Sequence, residues 1–164
     1  MVAKIFTASK SSFSISTTTT EPATSDAAGY AALTYQQACP AQSIGAFGIS
    51  FESVTFDDLC TGTRIKLKGI NDNGDMEVVL GYDDTDDGYD YIIDAAKDTT
   101  ASNYHFKITM PNKQNLTGTD AVFYFSGKVM MAQVTPGDAN TPVTLNVTIG
   151  ISSDIIIVKS TAGV

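Results

Sequence analysis

Apolar and polar residues alternate with period two along most of the chain, a pattern that predicts strands. Arg64-Ile65-Lys66-Leu67-Lys68 alternates cleanly, with basic residues outward and aliphatics inward. Met76, Val78 and Leu80 share one strand face. Tyr104, Phe106, Ile108 and Met110 point one way, while His105, Lys107 and Thr109 point the other. Val143, Leu145, Val147, Ile149 and Ile151 alternate with Thr144, Asn146, Thr148 and Gly150. Residues 30–38 read as a further strand. Phe13 and Ile15, set between serines, read as a short edge strand in a Ser/Thr-rich N-terminal arm over residues 1–28. Residues 121–131 are apolar on both faces, with Val122 and Tyr124 opposed by Phe123 and Phe125, so this strand needs cover on both sides. Asn71-Asp72-Asn73-Gly74, Pro111-Asn112 and Pro136-Gly137-Asp138 supply turn dihedrals between the strands.

One segment changes period. Tyr89, Ile92, Ile93 and Ala96 fall at i, i+3, i+4 and i+7, which predicts a helix over residues 87–98. Residues 43–62 read as a long loop. The expected fold is mainly β: an antiparallel β-sandwich or barrel over residues 29–164, with one flanking α-helix.

Length and composition fit one globular domain: 164 residues, 43% hydrophobic and 17% charged. The net charge of −8 disfavours binding to a nucleic-acid backbone, where clustered cations supply most of the affinity. The first ten residues, MVAKIFTASK, lack the apolar core of a signal peptide, and the longest aliphatic run, Ile155-Ile156-Ile157-Val158, is far short of a membrane span. The expectation is a cytoplasmic product without a membrane anchor, in which Cys39 and Cys60 stay free thiols.

The stretch "YDDTDDG", residues 82–88, is where chemistry would concentrate. Asp83, Thr85, Asp87 and Gly88 match the first half of a calcium loop, and Asp94 stands at its twelfth position. Against that, the twelfth position normally carries Glu, and Asp90 takes the place of an aliphatic. The alternative is simpler: carboxylates at a helix N-terminus satisfy free N–H groups and meet the positive end of the dipole. A catalytic carboxylate cluster is the third reading. Elsewhere the single histidine, His105, has no partnered nucleophile in the sequence, and no zinc, phosphate-loop or nucleophile-elbow signature occurs. The sequence predicts no enzyme and no cofactor.

The order of elements resembles the major tail tube proteins of long-tailed, lambda-like bacteriophages. The residues that carry the resemblance are the acidic segment "SIGAFGISFESVTFDDLCTGTRIKLKG", the helix "DDGYDYIIDAAKD", then "NYHFKITMPN", "AVFYFSGKVMMAQVTPGDA" and "TPVTLNVTIG", with F-x-I-x-x-P-N followed by F-x-G-x-V. It covers about residues 28–158. Some members add an immunoglobulin-like C-terminal domain, for which this chain is too short.

The resemblance implies a virion protein made in the host bacterial cytoplasm. It would be a subunit of hexameric rings stacked into a tube that conducts DNA. Its partners would be further copies of itself, a tape measure protein, and tail terminator and tail tip or baseplate proteins. It also implies roles for particular residues. Phe47, Ile49, Phe51, Val54 and Phe56 on the long loop would contact an adjacent ring. Val122, Phe123, Tyr124, Phe125, Val129 and Met131 would form the interface within a ring, so that a charge at Phe125 stops assembly while the subunit stays folded. Glu52, Asp57 and Asp58 would line the lumen. Six copies would carry about −48, which repels DNA from the wall. The competing expectation is a secreted carbohydrate- or calcium-binding β-sandwich module. It lacks an export signal and has no Trp for stacking sugars, though seven tyrosines remain available.

Overall fold

The computed structural model describes residues 5–162; residues 1–4 of the expected N-terminal arm lie outside it, as do residues 163–164. The chain is mainly antiparallel β, as the alternation predicts. In order, it forms β1 (Ser12–Ser16), α1 (Ala27–Ala31), β2 (Tyr35–Ala38), β3 (Ala41–Ile44), β4 (Phe51–Asp58), β5 (Thr63–Asn71) and β6 (Asp75–Gly81). There follow α2 (Asp87–Lys97), β7 (Tyr104–Met110), β8 (Ala121–Thr135), β9 (Thr144–Ile151) and β10 (Ile156–Val158). One sheet runs β2-β1-β7-β8-β9-β6-β3, with β10 added beside β8, and β4 and β5 make a separate two-stranded sheet.

The two ends of the large sheet, β2 and β3, are consecutive in sequence and joined by Cys39 and Pro40 alone. The sheet therefore curls back toward itself around one core. Fifteen-residue β8 is its spine: the first half pairs with β7 and the second half with β9, with a register shift between Val129 and Met131. Phe13, Phe106 and Phe125 stack in series inside, joined by Met76, Val78, Leu145, Val147 and Ile149. Helix α2 covers the open side, burying Ile92 and Ala95 against β8, β2 and β1. Among the described residues no helix is long and apolar enough to cross a membrane.

Three expectations change here. The N-terminal segment is no edge: β1 has β2 on one side and β7 on the other, and Phe13 and Ile15 are fully buried. The boundary between residues 28 and 29 falls inside α1, a second helix. Asp26 caps it by accepting from the Gly29 N–H at 2.8 Å, and the alanines after it favour helix, so the strand expected from residue 30 starts only at Tyr35. The loop expected over residues 43–62 is largely strand: β3 ends it on one side, and β4 forms a hairpin with β5. Its polar and apolar residues alternate, but neither face is covered, so the segment lacks the buried side that usually marks a strand.

Gly88 sets how closely α2 can dock. A Cβ there would lie 2.4 Å from the Gln37 carbonyl oxygen and 2.7 Å from the Ala38 Cα. Gly88→Ala is expected to lower stability by about 1–3 kcal/mol, because the steric cost of overpacking exceeds the helix propensity gained. Equilibrium urea unfolding measures it; a more stable variant would mean that the helix docks more loosely.

Candidate assembly surfaces

The β4–β5 hairpin is the main exposed apolar surface. Val54 pairs with Leu67 and Phe56 with Ile65, so these four side chains share one face of the ribbon. They are 47%, 53%, 59% and 45% exposed respectively. The opposite face carries Ser53, Thr55, Asp57, Arg64, Lys66 and Lys68, as the register requires. Arg64 holds Asp57 through two bonds, of 2.6 and 3.1 Å. Asp58 closes the tip by accepting from the Cys60 N–H and the Thr61 hydroxyl, which hold its carboxyl below the usual range, Thr61 most of all. At the base, Asn71 donates to Asp154, Asn73 donates to the Ser153 carbonyl, and the Ser50 N–H donates to Asn73. The ribbon is thus anchored to the body at its root and bare along its length. A lone two-stranded ribbon is marginal in water, so it needs cover.

The residues expected on the long loop divide. Ile49, Phe51, Val54 and Phe56 are exposed, with the Lys68 ammonium over the Phe51 ring. Phe47 is not among them: it packs edge-on against Phe123 and stacks near Phe125, closing the core. Ile65 and Leu67, expected to point inward, lie outside because the ribbon has no inside. Of the residues expected to line a lumen, Asp57 is neutralised by Arg64 and Asp58 is committed to the turn, while Glu52 stands exposed at the register shift in β4.

The residues expected within a ring interface also divide. Phe125, Tyr124 and Val129 are buried inside the subunit, Val122 and Phe123 are half-buried, and Met131 is exposed. The second face of β8 is closed by the chain itself. Tyr30 from α1 and Tyr35 from β2 pack on Tyr124. This answers the need for cover that the two-faced pattern raised, without a neighbour.

A polar network lies under that cover. The Ser126 hydroxyl sits 2.7 Å from both the Tyr30 hydroxyl and His105 Nδ1, and the His105 backbone N–H donates to Ser16 Oγ. His105 is fully buried rather than on an open polar face. A serine paired with a histidine invites a catalytic reading, but His105, Ser126 and Tyr30 are all sealed from solvent and no substrate can reach them. Sequence reasoning could not pair them, because only tertiary folding brings residues 30, 105 and 126 together.

Burial lowers the pKa of His105, while Glu21 and the Thr20 backbone pull weakly the other way. The folded value is below the ordinary 6.5, so the unfolded chain takes up the proton first. Stability is therefore full above about pH 6.5 and is lost as pH falls toward the folded pKa. The chain has one histidine, so His105→Gln is expected to flatten the slope of stability between about pH 7 and about pH 5.5. An unchanged slope in urea titrations would assign it to other groups.

The carboxylates of the acidic stretch are spread along a turn and the first turns of α2. Asp83 accepts from the Thr85 N–H and hydroxyl, and Thr85 keeps its carboxyl low. Asp86 stands at the N-cap of α2, where its backbone carbonyl accepts from the Tyr89 N–H, but its side chain makes no bond to its own helix; the carboxylate accepts from the Cys39 N–H at 3.0 Å and ties α2 to the end of β2. The capping expectation is corrected to that extent. Asp87 and Asp90 still sit in the first turn, at the positive end of the dipole. Asp87 and Asp94 lie on one straight helix, about 10 Å apart along its axis, so they cannot curl around a cation. Among the described residues no three His, Cys, Asp or Glu side chains gather as metal ligands. Calcium is expected to leave the melting temperature unchanged; a rise with added calcium would restore the ion-loop reading. Cys39 and Cys60 are both free and exposed.

No protein-family model matches the sequence, and neither does any curated protein. Solved structures do match, over nearly the whole chain. The sheath/tube terminator of the PVC extracellular contractile injection system aligns with a TM-score of 0.67 at 13% identity, over 96% of this chain and 99% of that one. A chain of the anti-feeding prophage baseplate aligns with a TM-score of 0.69 at 9% identity, over 97% and 98%. The SPP1 tail tube aligns with a TM-score of 0.65 at 14% identity, over 93% of this chain and 77% of that one. At such low identity it is the backbone path that is shared: the chain has the fold found in tail tube and tube terminator proteins.

Proposed function

We propose that the chain is a structural subunit of a phage tail tube. It assembles as hexameric rings that stack into a conduit for DNA from capsid to host cell. The fold likeness supports the class. The observation that carries assembly is the bare apolar face of the β4–β5 ribbon, which the subunit has no means to bury. A surface of this kind on an anchored, projecting element is an interaction site. A second copy, in an adjacent ring, is the occupant: repeated head-to-tail contacts of one patch on another build rings and open stacks. At the ends of the stack the same surfaces would meet terminator and tip or baseplate proteins, and a tape measure protein would occupy the bore before DNA does. The subunit's chemistry is passive, since its one serine–histidine pair is sealed and its net charge repels a polyanion.

Native mass spectrometry of the purified, concentrated protein tests the ring. The expected species has six copies of the 17.3 kDa chain, with multiples of six above it. Single rings that never stack would assign the chain to a terminator rather than the tube. A monomer at every concentration would overturn the proposal.

A further inference from the structure

The turn between β5 and β6 reads Asn71-Asp72-Asn73-Gly74, and Asn73 is the one asparagine of the chain that a glycine follows. That order carries a chemistry of its own. The backbone nitrogen after an asparagine can attack the side-chain amide carbon, Cγ, because the ring that closes has five members. A side chain on the attacking residue hinders the approach, and glycine has none. Gly74 sits at φ +68°, and a Cβ there would meet nothing within 4 Å, so the space around the attacking nitrogen is open.

The fold adds contacts at each reacting atom. The Asp72 carboxylate accepts from the Gly74 N–H at 2.9 Å and draws the proton off the attacking nitrogen. The Ser50 N–H donates to Asn73 Oδ1 at 3.3 Å, where negative charge develops as the nitrogen adds. Asn73 Nδ2, the atom that must leave, donates to the Ser153 carbonyl at 2.8 Å, which fixes the amide with its oxygen toward Ser50. Nucleophile and electrophile are on adjacent residues, so the step is intramolecular. Asp72 and Gly74 are exposed, so water reaches the product.

Asn73 is also a latch. Its one side chain ties Ser50, just before β4, to Ser153, just after β9, and so sets the root of the ribbon on the body. A carboxylate in its place still accepts from Ser50, but it has no hydrogen to give the Ser153 carbonyl, and two acceptors then face each other. Asp154, next in the chain after that carbonyl, adds like charge. The bond from Asn71 to Asp154 remains, so the ribbon loosens rather than detaches.

We propose that Asn73-Gly74 is a self-modification site, at which the fold promotes deamidation of Asn73 and thereby unlatches the root of the β4–β5 ribbon. The Gly74 N–Cγ bond forms and the Cγ–Nδ2 bond breaks. Nδ2 leaves as ammonia with the proton from Gly74, and a cyclic imide is left. Water then opens the imide. Cleavage of the new N–Cγ bond gives aspartate, and cleavage of the original peptide bond gives an isoaspartyl linkage, one methylene longer, between β5 and β6. Water is the sole co-reactant. Modification and unlatching are properties of the single subunit, independent of the tube reading.

Two measurements test it. The purified chain is incubated at neutral pH and mapped by peptide mass spectrometry, with aspartate and isoaspartate separated. Asn73 should convert at least about tenfold faster than any other asparagine of the chain. Asp72→Ala should slow that conversion at least about threefold in the folded chain and leave it unchanged in urea, where the contact is gone. A folded chain in which Asn73 stays intact, or converts equally fast without the Asp72 carboxylate, would overturn the self-modification. The latch is read from Asn73→Asp, which installs one product directly. Ribbon amides in residues 51–58 and 63–71 should exchange with deuterium at least about tenfold faster than in the parent chain, while those of β6 and β9 keep their protection. Ribbon exchange equal to that of the parent would overturn the unlatching.

Discussion

Phe125→Asp is expected to yield no folded protein. Phe125 is fully buried, stacks on Phe106 at 5.4 Å between ring centroids and lies beside Phe47. Losing a buried Phe side chain costs about 3–5 kcal/mol before any charge is considered. An unpaired carboxylate in the same place adds a further desolvation penalty. A domain with about 5–15 kcal/mol of stability does not survive both. The sequence suggested another outcome, a folded subunit that fails to assemble, because a strand apolar on both faces can serve a core or an interface. Circular dichroism and size-exclusion chromatography decide between them. A soluble monomer with native spectrum and melting temperature would place Phe125 at an interface after all. Phe125→Leu is the control: it should fold, melt lower and still assemble.

Phe56→Asp is expected to have the opposite profile. Phe56 is on the bare face of the ribbon, opposite Ile65, with no core contact to lose. Subunit stability should change by about 0.5 kcal/mol or less. Assembly should collapse. A buried aromatic at the centre of an interface is typically worth about 2 kcal/mol or more, roughly thirtyfold in affinity for each contact. The contact is repeated by every copy in a ring, and an unpaired carboxylate in it adds to the loss. Sedimentation of the variant at concentrations where the parent chain forms tubes measures this. Tubes at parental yield would mean that the ribbon's apolar face is not the contact between rings.

Legibility followed burial. Where one strand face is buried and the other wet, as in β6 and β9, alternation located the strand and its inward residues, Met76, Val78 and Val147 among them. Helix α2 was legible for the same reason, its apolar stripe facing the sheet. The β4–β5 ribbon has both faces in solvent, so its pattern located no inside, and its first strand passed for loop. Helix α1 is five residues long, too short to set up a period, and its cap Asp26 was the only local signal. His105 and Tyr30 were misjudged because the cover over the second face of β7 and β8 comes from residues far away in sequence. The acidic stretch was readable as a helix start, but the tie from Asp86 to the Cys39 N–H spans 47 residues and no local pattern encodes it. Of the ribbon's apolar residues, Phe51, Val54 and Phe56 were expected at a surface, while Ile65 and Leu67 were expected inside.

Electron microscopy of the purified protein in negative stain shows whether this chain builds a tube. The expected particles are rings about a hundred ångströms across, stacked into tubes with a stain-filled central bore, a size set by six compact domains around a channel. Uniform small particles of single-subunit size at every concentration, or solid fibres without a bore, would contradict it.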